Sequence, residues 1–267
     1  MMSLSGFDFR SLVKCTMSRV LVLFIGLGVS CFDSRADEMR GLVTIGMKRA
    51  LEQVIPGFET SPSRTLDVQF ASTPEIAERL QKGEAVEFII VARGTLDHLI
   101  DSNVVAEGDY EILGGSSIAV AVPAGHPKPD ISTPEALRSA LLAARTIAYT
   151  NPTSGGPSGI HFETVLRRLG IAEQVRPKTK FPPAGGFVGD ILRNGDADIG
   201  IQQATELSGF EGVEVIGRLP SELQLVTEYA AAVPRTANHP EAGKALLEFM
   251  RSSEATAAMK ARGLDPK

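Results

Sequence analysis

The strongest constraint on the fold of this chain is an alternation of short apolar runs with amphipathic helical segments. Between residues 42 and 92 the sequence reads LVTIG, KRALEQVI, LDVQFA, PEIAERLQ and VEFIIVA in turn. Short runs rich in Val, Ile and Phe are typical of buried strands, and apolar residues spaced three and four apart are typical of helices that bury one face. This order predicts a parallel sheet with helices on its faces.

A second series of the same kind follows, and it is joined in a similar way. In both series a helical segment ends at a glycine, Gly83 or Gly195, and an acidic residue and a buried strand come next. The expected fold class is therefore α/β, with two similar α/β lobes joined by crossing strands. The second series consists of strand-like runs at 116–123, 146–150 and 197–203 and helical runs at 134–144, 159–170 and 185–194.

The first 36 residues have the pattern of a secretory signal peptide. Arg10, Lys14 and Arg19 precede the apolar run VLVLFIGLGV at 20–29, which is too short to cross a hydrocarbon layer of about 30 Å as a helix. Small residues at 34 and 36 suit a signal peptidase, so cleavage is expected after Ala36. The sequence therefore predicts a periplasmic protein.

Both cysteines of the chain, Cys15 and Cys31, fall within this leader. The mature protein is therefore expected to have no disulfide, no thiolate nucleophile and no cysteine metal ligand. A lipid anchor on Cys31 is the alternative to cleavage after residue 36. Translation could start at Met1 or at Met17, and the mature chain would be the same.

The charge of the chain argues against nucleic acid as a partner. The whole chain has a formal net charge of −5, and a leader with four basic and two acidic residues would leave −7 when removed. A basic face, which nucleic-acid binding requires, is not expected. An anionic small ligand is still compatible, because helix N-termini and local donors can bind an anion within an acidic protein.

A Ser-Thr pair follows the strand-like run LDVQFA without a spacer. Ser72 and Thr73 precede Pro74 and Glu75, a typical start of a helix. Because ligands in open α/β sheets lie outside the carboxyl ends of strands, the pair can cap the helix, contact a ligand or do both. The similar STPE at 132–135 follows a longer loop, and we expect it only to cap a helix.

Two glycine-rich segments are further candidates for ligand contact. YTNPTSGGPSGIHF at 149–162 lies between a strand and a helix, and its serines and glycines suit either an anion site or an ordinary flexible loop. The spacing differs from that of a phosphate-binding loop with Lys-Ser/Thr. FPPAGGFVGDIL at 181–192 gives a weaker signal of the same type.

Residues for catalysis or metal binding are poorly represented. The four histidines are scattered without a ligand spacing, no G-x-S-x-G motif occurs, and the acids are spread as on a solvated surface. The sequence therefore predicts no metal, no cofactor and no enzymatic activity. The histidines are His98, His126, His161 and His239.

In their order, these segments resemble the extracytoplasmic solute-binding proteins of ABC transporters, and most closely the periplasmic molybdate-binding proteins. The resemblance covers almost the whole mature chain. It implies a monomer with a type II bilobal fold, with lobe one at 37–119 plus 233–267 and lobe two at 120–232. It also implies that the lobes close on a small anion of the molybdate or tungstate type and deliver it to a membrane permease. The segments that carry the resemblance are LVTIGMKRALEQV, VQFASTPEIAERLQKGEAVEFIIVA, SSIAVAVP, TIAYTNPTSGGPSGIHFETVLRRLGI and GDADIGIQQATEL.

The resemblance also implies a set of ligand-binding residues, with departures from the family pattern. Met47 and Lys48 occupy the position of the family's first serine, and a glutamine, Gln202 or Gln203, stands where the family has a tyrosine. A small organic carboxylate or a different oxyanion is therefore a rival ligand, and a non-transport sensor or a secreted enzyme is a rival function. The implied ligand-binding residues are Met47, Lys48, Ser72, Thr73, Ser158, Gly159, Gly186, Phe187, Gln202 and Gln203.

Overall fold

The computed structural model describes residues 37–60 and 64–266. The predicted signal peptide, its cleavage after Ala36, the alternative start at Met17 and the lipid anchor on Cys31 lie outside the described residues. The strands are β1 (Asp37–Thr44), β2 (Arg64–Ala71), β3 (Phe88–Ala92), β4 (Val105–Pro123), β5 (Ile147–Tyr149), β6 (Thr179–Lys180), β7 (Ile199–Gln203), β8 (Val213–Arg218) and β9 (Val226–Pro234). The α-helices are α1 (Lys48–Phe58), α2 (Thr73–Gln81), α3 (Arg93–Asp101), α4 (Pro134–Ala143), α5 (Pro157–Arg168), α6 (Ala172–Val175), α7 (Val188–Arg193), α8 (Ala204–Leu207), α9 (Pro240–Met250) and α10 (Ser253–Ala261).

The strands form two sheets that share the long strand β4. In the first lobe the order is β2-β1-β3-β9-β4, with β1 parallel to β2 and β3. In the second lobe the carboxyl half of β4 lies between β8 and β7, and β5 and β6 follow, with β5 parallel to both β6 and β7. Because β4 takes part in both sheets, it carries the chain from one lobe into the other.

Helices cover both faces of each sheet, as alternating side chains along the strands require. On β3, Phe88 and Ile90 pack into a cluster with α1, α9 and α10, whereas Ile89 and Val91 pack into a cluster with α2 and α3. In the second lobe, Ile118 and Val120 of β4 and the alanines between and after them face opposite sides in the same manner. Each lobe is thus a three-layer α/β/α unit.

The expectation of a parallel sheet is correct for the strands that alternate with helices and wrong for the others. β4, β8 and β9 run antiparallel to their neighbours. These strands connect or close the lobes. β4 follows helix α3 but pairs with β9, so the helix before it makes no parallel crossover. Tyr229 of β9 pairs with Ala92 of β3 in the first sheet. The lobe boundaries after residues 119 and 232 stay predictions.

The final segment of the chain is helical but not continuous. It forms α9 and α10, and Ser252 begins the second helix by accepting a hydrogen bond from the Ala255 amide at 3.2 Å. Among the described residues, no helix is both long enough and apolar enough to cross a lipid bilayer.

Candidate functional site

A cavity of about 600 Å³ lies between the lobes at the carboxyl ends of their parallel strands. This is the edge at which open α/β sheets present loops and helix N-termini to a ligand. The lining is rich in hydroxyl groups, side-chain amides and glycine backbone. The polar and charged lining residues are Thr44, Ser72, Thr73, Glu75, Thr150, Asn151, Thr153, Ser154, Ser158, Gln202, Gln203, Glu206 and Tyr229.

The first-lobe wall comes from the ends of β1 and β2. Thr44 is the last residue of β1, and its Oγ1 lies 2.9 Å from Thr73 Oγ1 at the start of α2. Ser72 caps α2, since its Oγ accepts a hydrogen bond from the Glu75 amide at a long 3.4 Å. Ser72 therefore caps a helix and lines the cavity, which are compatible roles for one hydroxyl group.

The second-lobe wall begins directly after β5. Ser158, which is buried, donates from its Oγ to Thr150 Oγ1 at 3.3 Å. A β-carbon at Gly159 would lie 2.2 Å from the Thr150 carbonyl oxygen. Glycine at this position therefore lets α5 approach the end of β5 and holds the two hydroxyl groups together.

Loops from the second lobe reach the first lobe across the mouth of the cavity. A β-carbon at Gly155 would lie 3.1 Å from Pro74 Cγ, and one at Gly185 would lie 4.0 Å from Ile45 Cδ1. Both glycines have positive φ, +77° and +73°, a conformation that other residues adopt at a cost. The two glycine-rich segments thus turn sharply where they meet the first lobe.

The floor of the cavity contains an acid held by an amide. Glu206 lies in α8, directly after β7, and is 6% exposed. Gln202 Oε1 accepts from the Val188 amide at 2.9 Å, and Gln202 Nε2 donates to Glu206 Oε1 at 2.9 Å. Burial raises the pKa of the Glu206 carboxyl to about 8, although hydrogen bonds from the Gln203 backbone and the Gln202 side chain lower it.

Tyr229 faces the same cavity from β9, a strand of the first sheet. A β-carbon at Gly46 would lie 2.4 Å from Tyr229 Oη, so the lack of a side chain there makes room for the phenol. Burial, followed by the charge of nearby Glu206, raises the pKa of Tyr229 far above its ordinary value. Tyr229 therefore keeps its proton and can donate a hydrogen bond into the cavity.

The structure brings together six of the ten predicted ligand-binding residues. Ser72, Thr73, Ser158, Gly186, Gln202 and Gln203 all line the cavity. Three other lining residues, Thr44, Glu206 and Tyr229, were not predicted from the sequence, and Thr150 was predicted only as part of the glycine-rich segment at 149–162. Their burial and neighbours are set by tertiary packing, although an acid one turn beyond a buried strand end, as in QQATEL, is a usable signal for Glu206.

The other four predicted residues do not line the cavity. Met47 is fully buried in the hydrophobic core of the first lobe, and Gly159 lies against the Thr150 backbone. Phe187 packs edge-on against Phe210, with ring centroids 6.1 Å apart. The Lys48 ammonium lies near the rim, 5.3 Å from the centroid of Phe70, which is itself a lining residue.

Neutral donors dominate the electrostatics of the site. No Lys or Arg is found among the described residues that line the cavity, whose charged members are Glu75 and Glu206. Over the same described part of the chain, no group of three or more His, Cys, Asp or Glu side chains could hold a metal ion. A ligand anion would therefore be bound mainly by hydrogen bonds from hydroxyl, amide and backbone N–H groups.

The sequence of this chain matches one protein family and one named relative. Residues 40–265 match the family described as bacterial extracellular solute-binding protein. A Pseudomonas sp protein named aconitate isomerase is 33% identical over 227 residues, which cover 83% of this chain and 85% of that protein.

Solved structures with low sequence identity share the fold. The Azotobacter vinelandii periplasmic molybdate-binding protein superposes with a TM-score of 0.71 at 17% identity, covering 86% of this chain and 100% of that one. The sulfate-binding protein of Mycobacterium tuberculosis H37Rv gives a TM-score of 0.65 at 18% identity, covering 86% of both chains.

Proposed function

This chain belongs to the family of bacterial extracellular solute-binding proteins, and we propose that it binds a small organic carboxylate between its two lobes. After export by a cleaved signal peptide, the loaded periplasmic protein would dock on the permease of an ABC transporter. The family supports a small-molecule ligand and a membrane transporter as partners. Binding would draw the lobes together so that donors from both reach one ligand.

The observation that carries this proposal is the cavity itself. Its volume of about 600 Å³ corresponds to about twenty waters at roughly 30 Å³ each, and it falls within the range of sites for small organic molecules. A single tetrahedral oxyanion would leave most of that space to solvent. Hydroxyl groups from both walls, such as Ser72 and Thr150, suit carboxylate oxygens, which accept several hydrogen bonds each.

The Pseudomonas relative supports the same ligand class. It is named for aconitate, a small unsaturated tricarboxylate. Its sequence identity to this chain, 33%, is nearly twice the 17% and 18% of the molybdate-binding and sulfate-binding structures. A molybdate-type oxyanion, which the sequence resemblance suggested, is therefore the rival ligand.

A second candidate function is isomerisation of such a carboxylate. The family favours binding without turnover, and the absence of enzymatic activity stays a prediction. Two observations favour an enzyme: the name of the 33% identical relative and the buried Glu206 carboxyl in the wall of the cavity.

Thermal melting of the purified protein tests the ligand class, because a ligand that binds only the folded state must raise the melting temperature. The panel is molybdate, tungstate, sulfate, phosphate, cis- and trans-aconitate, citrate and succinate. A shift with one or more carboxylates, and none with molybdate or tungstate, is expected. A shift with molybdate and tungstate alone would overturn the organic carboxylate.

A further inference from the structure

Glu206 is out of place in a cavity that only binds anions. Its carboxyl lines the cavity and is 6% exposed, and none of the ion pairs among the described residues includes it. When ionised, it would repel a bound carboxylate and bear a cost of burial that two hydrogen bonds, from Gln202 and the Gln203 backbone, only partly offset. In a cavity that only binds anions, a neutral hydrogen-bond donor is expected at this position. Ser158 is such a donor elsewhere in the lining.

The position of Glu206 is fixed in the way that a proton-transferring group requires. The Gln202 amide is held by the Val188 backbone and donates to Glu206 Oε1, with both distances 2.9 Å. Across the cavity, the Tyr229 phenol is confined against Gly46. A base held in one orientation and a proton donor from a strand of the other sheet therefore line the same cavity.

We infer that Glu206 is a catalytic residue that moves a proton between two carbon atoms of a bound unsaturated polycarboxylate. This inference rests on the proposed function, since it requires an organic carboxylate in the cavity. The Glu206 carboxylate removes a proton from a CH₂ group that lies between a carboxylate and a carbon–carbon double bond. Tyr229 donates a hydrogen bond to the carboxylate oxygen on which negative charge accumulates.

The reaction balances without any oxidant or co-reactant. The C–H bond of the CH₂ group breaks, its electron pair enters the conjugated system, and Glu206 carries the proton. Glu206 then returns the proton to the far carbon of the former double bond, a new C–H bond forms, and the double bond has moved by one carbon. The two carbons are 1,3-related, so one carboxyl group can reach both. When the substrate is aconitate, the product is again aconitate, and the substrate and the product can be the cis and trans isomers.

The basicity of Glu206 suits this step. Burial holds its pKa at about 8, so the carboxylate is a stronger base than an exposed glutamate and is still partly ionised at neutral pH. An exposed carboxylate, with a pKa near 4, would be a much weaker base toward carbon.

The experiment follows cis-aconitate and the purified protein by proton NMR in D₂O, together with thermal melting on the same samples. The trans isomer is expected to form, with deuterium entering at the exchanging carbon. Glu206→Gln should keep the aconitate-induced melting shift and lower turnover by at least about 100-fold. Tyr229→Phe should lower kcat by about tenfold or more with little change in KM.

Two further variants make the test specific. Glu87→Gln is the matched control, because Glu87 is a buried acid that lies outside the cavity and accepts a hydrogen bond from the Arg40 amide at 2.9 Å; it should turn over aconitate normally. Glu206→Asp withdraws the carboxyl by one methylene group and should slow turnover even if Glu206→Gln does not fold.

The outcomes separate this inference from the proposed function. A melting shift with aconitate but no isomerisation or deuterium uptake by the unaltered protein overturns the inference and leaves carboxylate binding standing. Undiminished turnover by Glu206→Gln overturns the role of Glu206. No shift with any carboxylate overturns both.

Discussion

Gln202 and Glu206 form a 2.9 Å hydrogen bond across the junction between strand β7 and helix α8. Gln202 is on the strand and Glu206 is in the first turn of the helix, so the local chain geometry alone brings the amide to the carboxyl. The same amide accepts from the start of α7. The floor of the cavity is therefore built from three consecutive elements of the second lobe, and its acid cannot rotate freely.

The burial of Glu206 predicts a specific pH dependence of stability. Its pKa rises from an ordinary 4.5 to about 8 in the folded state, so the protein gains most from this residue below pH 4.5 and loses that contribution as pH rises to 8. A shift of this size corresponds to about 3 to 5 kcal/mol. Tyr229 also lines the cavity and is affected by the charge of Glu206, and it stays protonated in this range.

Glu206→Gln should remove this dependence. The free energy of unfolding, measured by urea titration from pH 5 to pH 8.5, should fall less steeply for the variant, which should be the more stable protein at pH 8. Parallel curves for the two proteins across this range would contradict the raised pKa.

Ser72 should contribute to ligand affinity beyond its role in capping α2. Ser72→Ala is expected to weaken binding of the most stabilising carboxylate about tenfold, because a hydrogen bond to a charged group is lost. Thr133→Ala is the matched control, since Thr133 caps α4 by accepting from the Ala136 amide at 3.1 Å and lies outside the cavity. Isothermal titration calorimetry compares the two, and equal losses of affinity would assign Ser72 to capping alone.

The family and the fold class predicted from the sequence are confirmed, because both depend on patterns that the sequence displays directly. Amphipathic spacing predicted α1, α2, α4 and α5, and apolar runs predicted β2, β3 and β7. The first half of β4 and the whole of β8 were not predicted from the sequence. Their residues are mixed in polarity, and the strands they pair with are distant in the sequence.

The cavity was only partly predictable for the same reason. Ser72 and Ser158 come after strands that alternate with helices along the chain. The sequence therefore predicts that both lie near the carboxyl ends of the strands in their sheet. Tyr229 reaches the cavity from antiparallel β9, which pairs with β3 over more than 130 residues of sequence. The composition around Glu206 does not distinguish it from the solvated acids of the chain, because its burial depends on tertiary packing.

Gly159 should be needed for the second-lobe wall. Gly159→Ala would place a carbon 2.2 Å from the Thr150 carbonyl oxygen, so α5 must move away from β5, at an expected cost of about 1 to 3 kcal/mol of stability and with weaker ligand binding. Gly94→Ala is the control. Apart from its chain neighbours and the backbone of its own helix, nothing lies within 4 Å of the new carbon, and alanine within α3 should stabilise by about 0.5 to 1 kcal/mol. Urea unfolding distinguishes them, and two stabilised variants would contradict the close approach.

Lys48 should act on ligand binding through charge at the rim and not through direct contact. Its ammonium lies 5.3 Å from the Phe70 ring and 5.9 Å from the Phe187 ring, and 4.0 Å from Glu52 Oε1. Lys48→Met keeps most of the unbranched side chain and removes the charge. Affinity for the anionic ligand should therefore fall about threefold at low salt, with the difference shrinking as salt screens it. Titrations at 20 mM and 500 mM NaCl, about 20 and 4 Å in screening length, test this. A loss that persists unchanged at high salt would instead indicate that Lys48 contacts the ligand directly in the closed form.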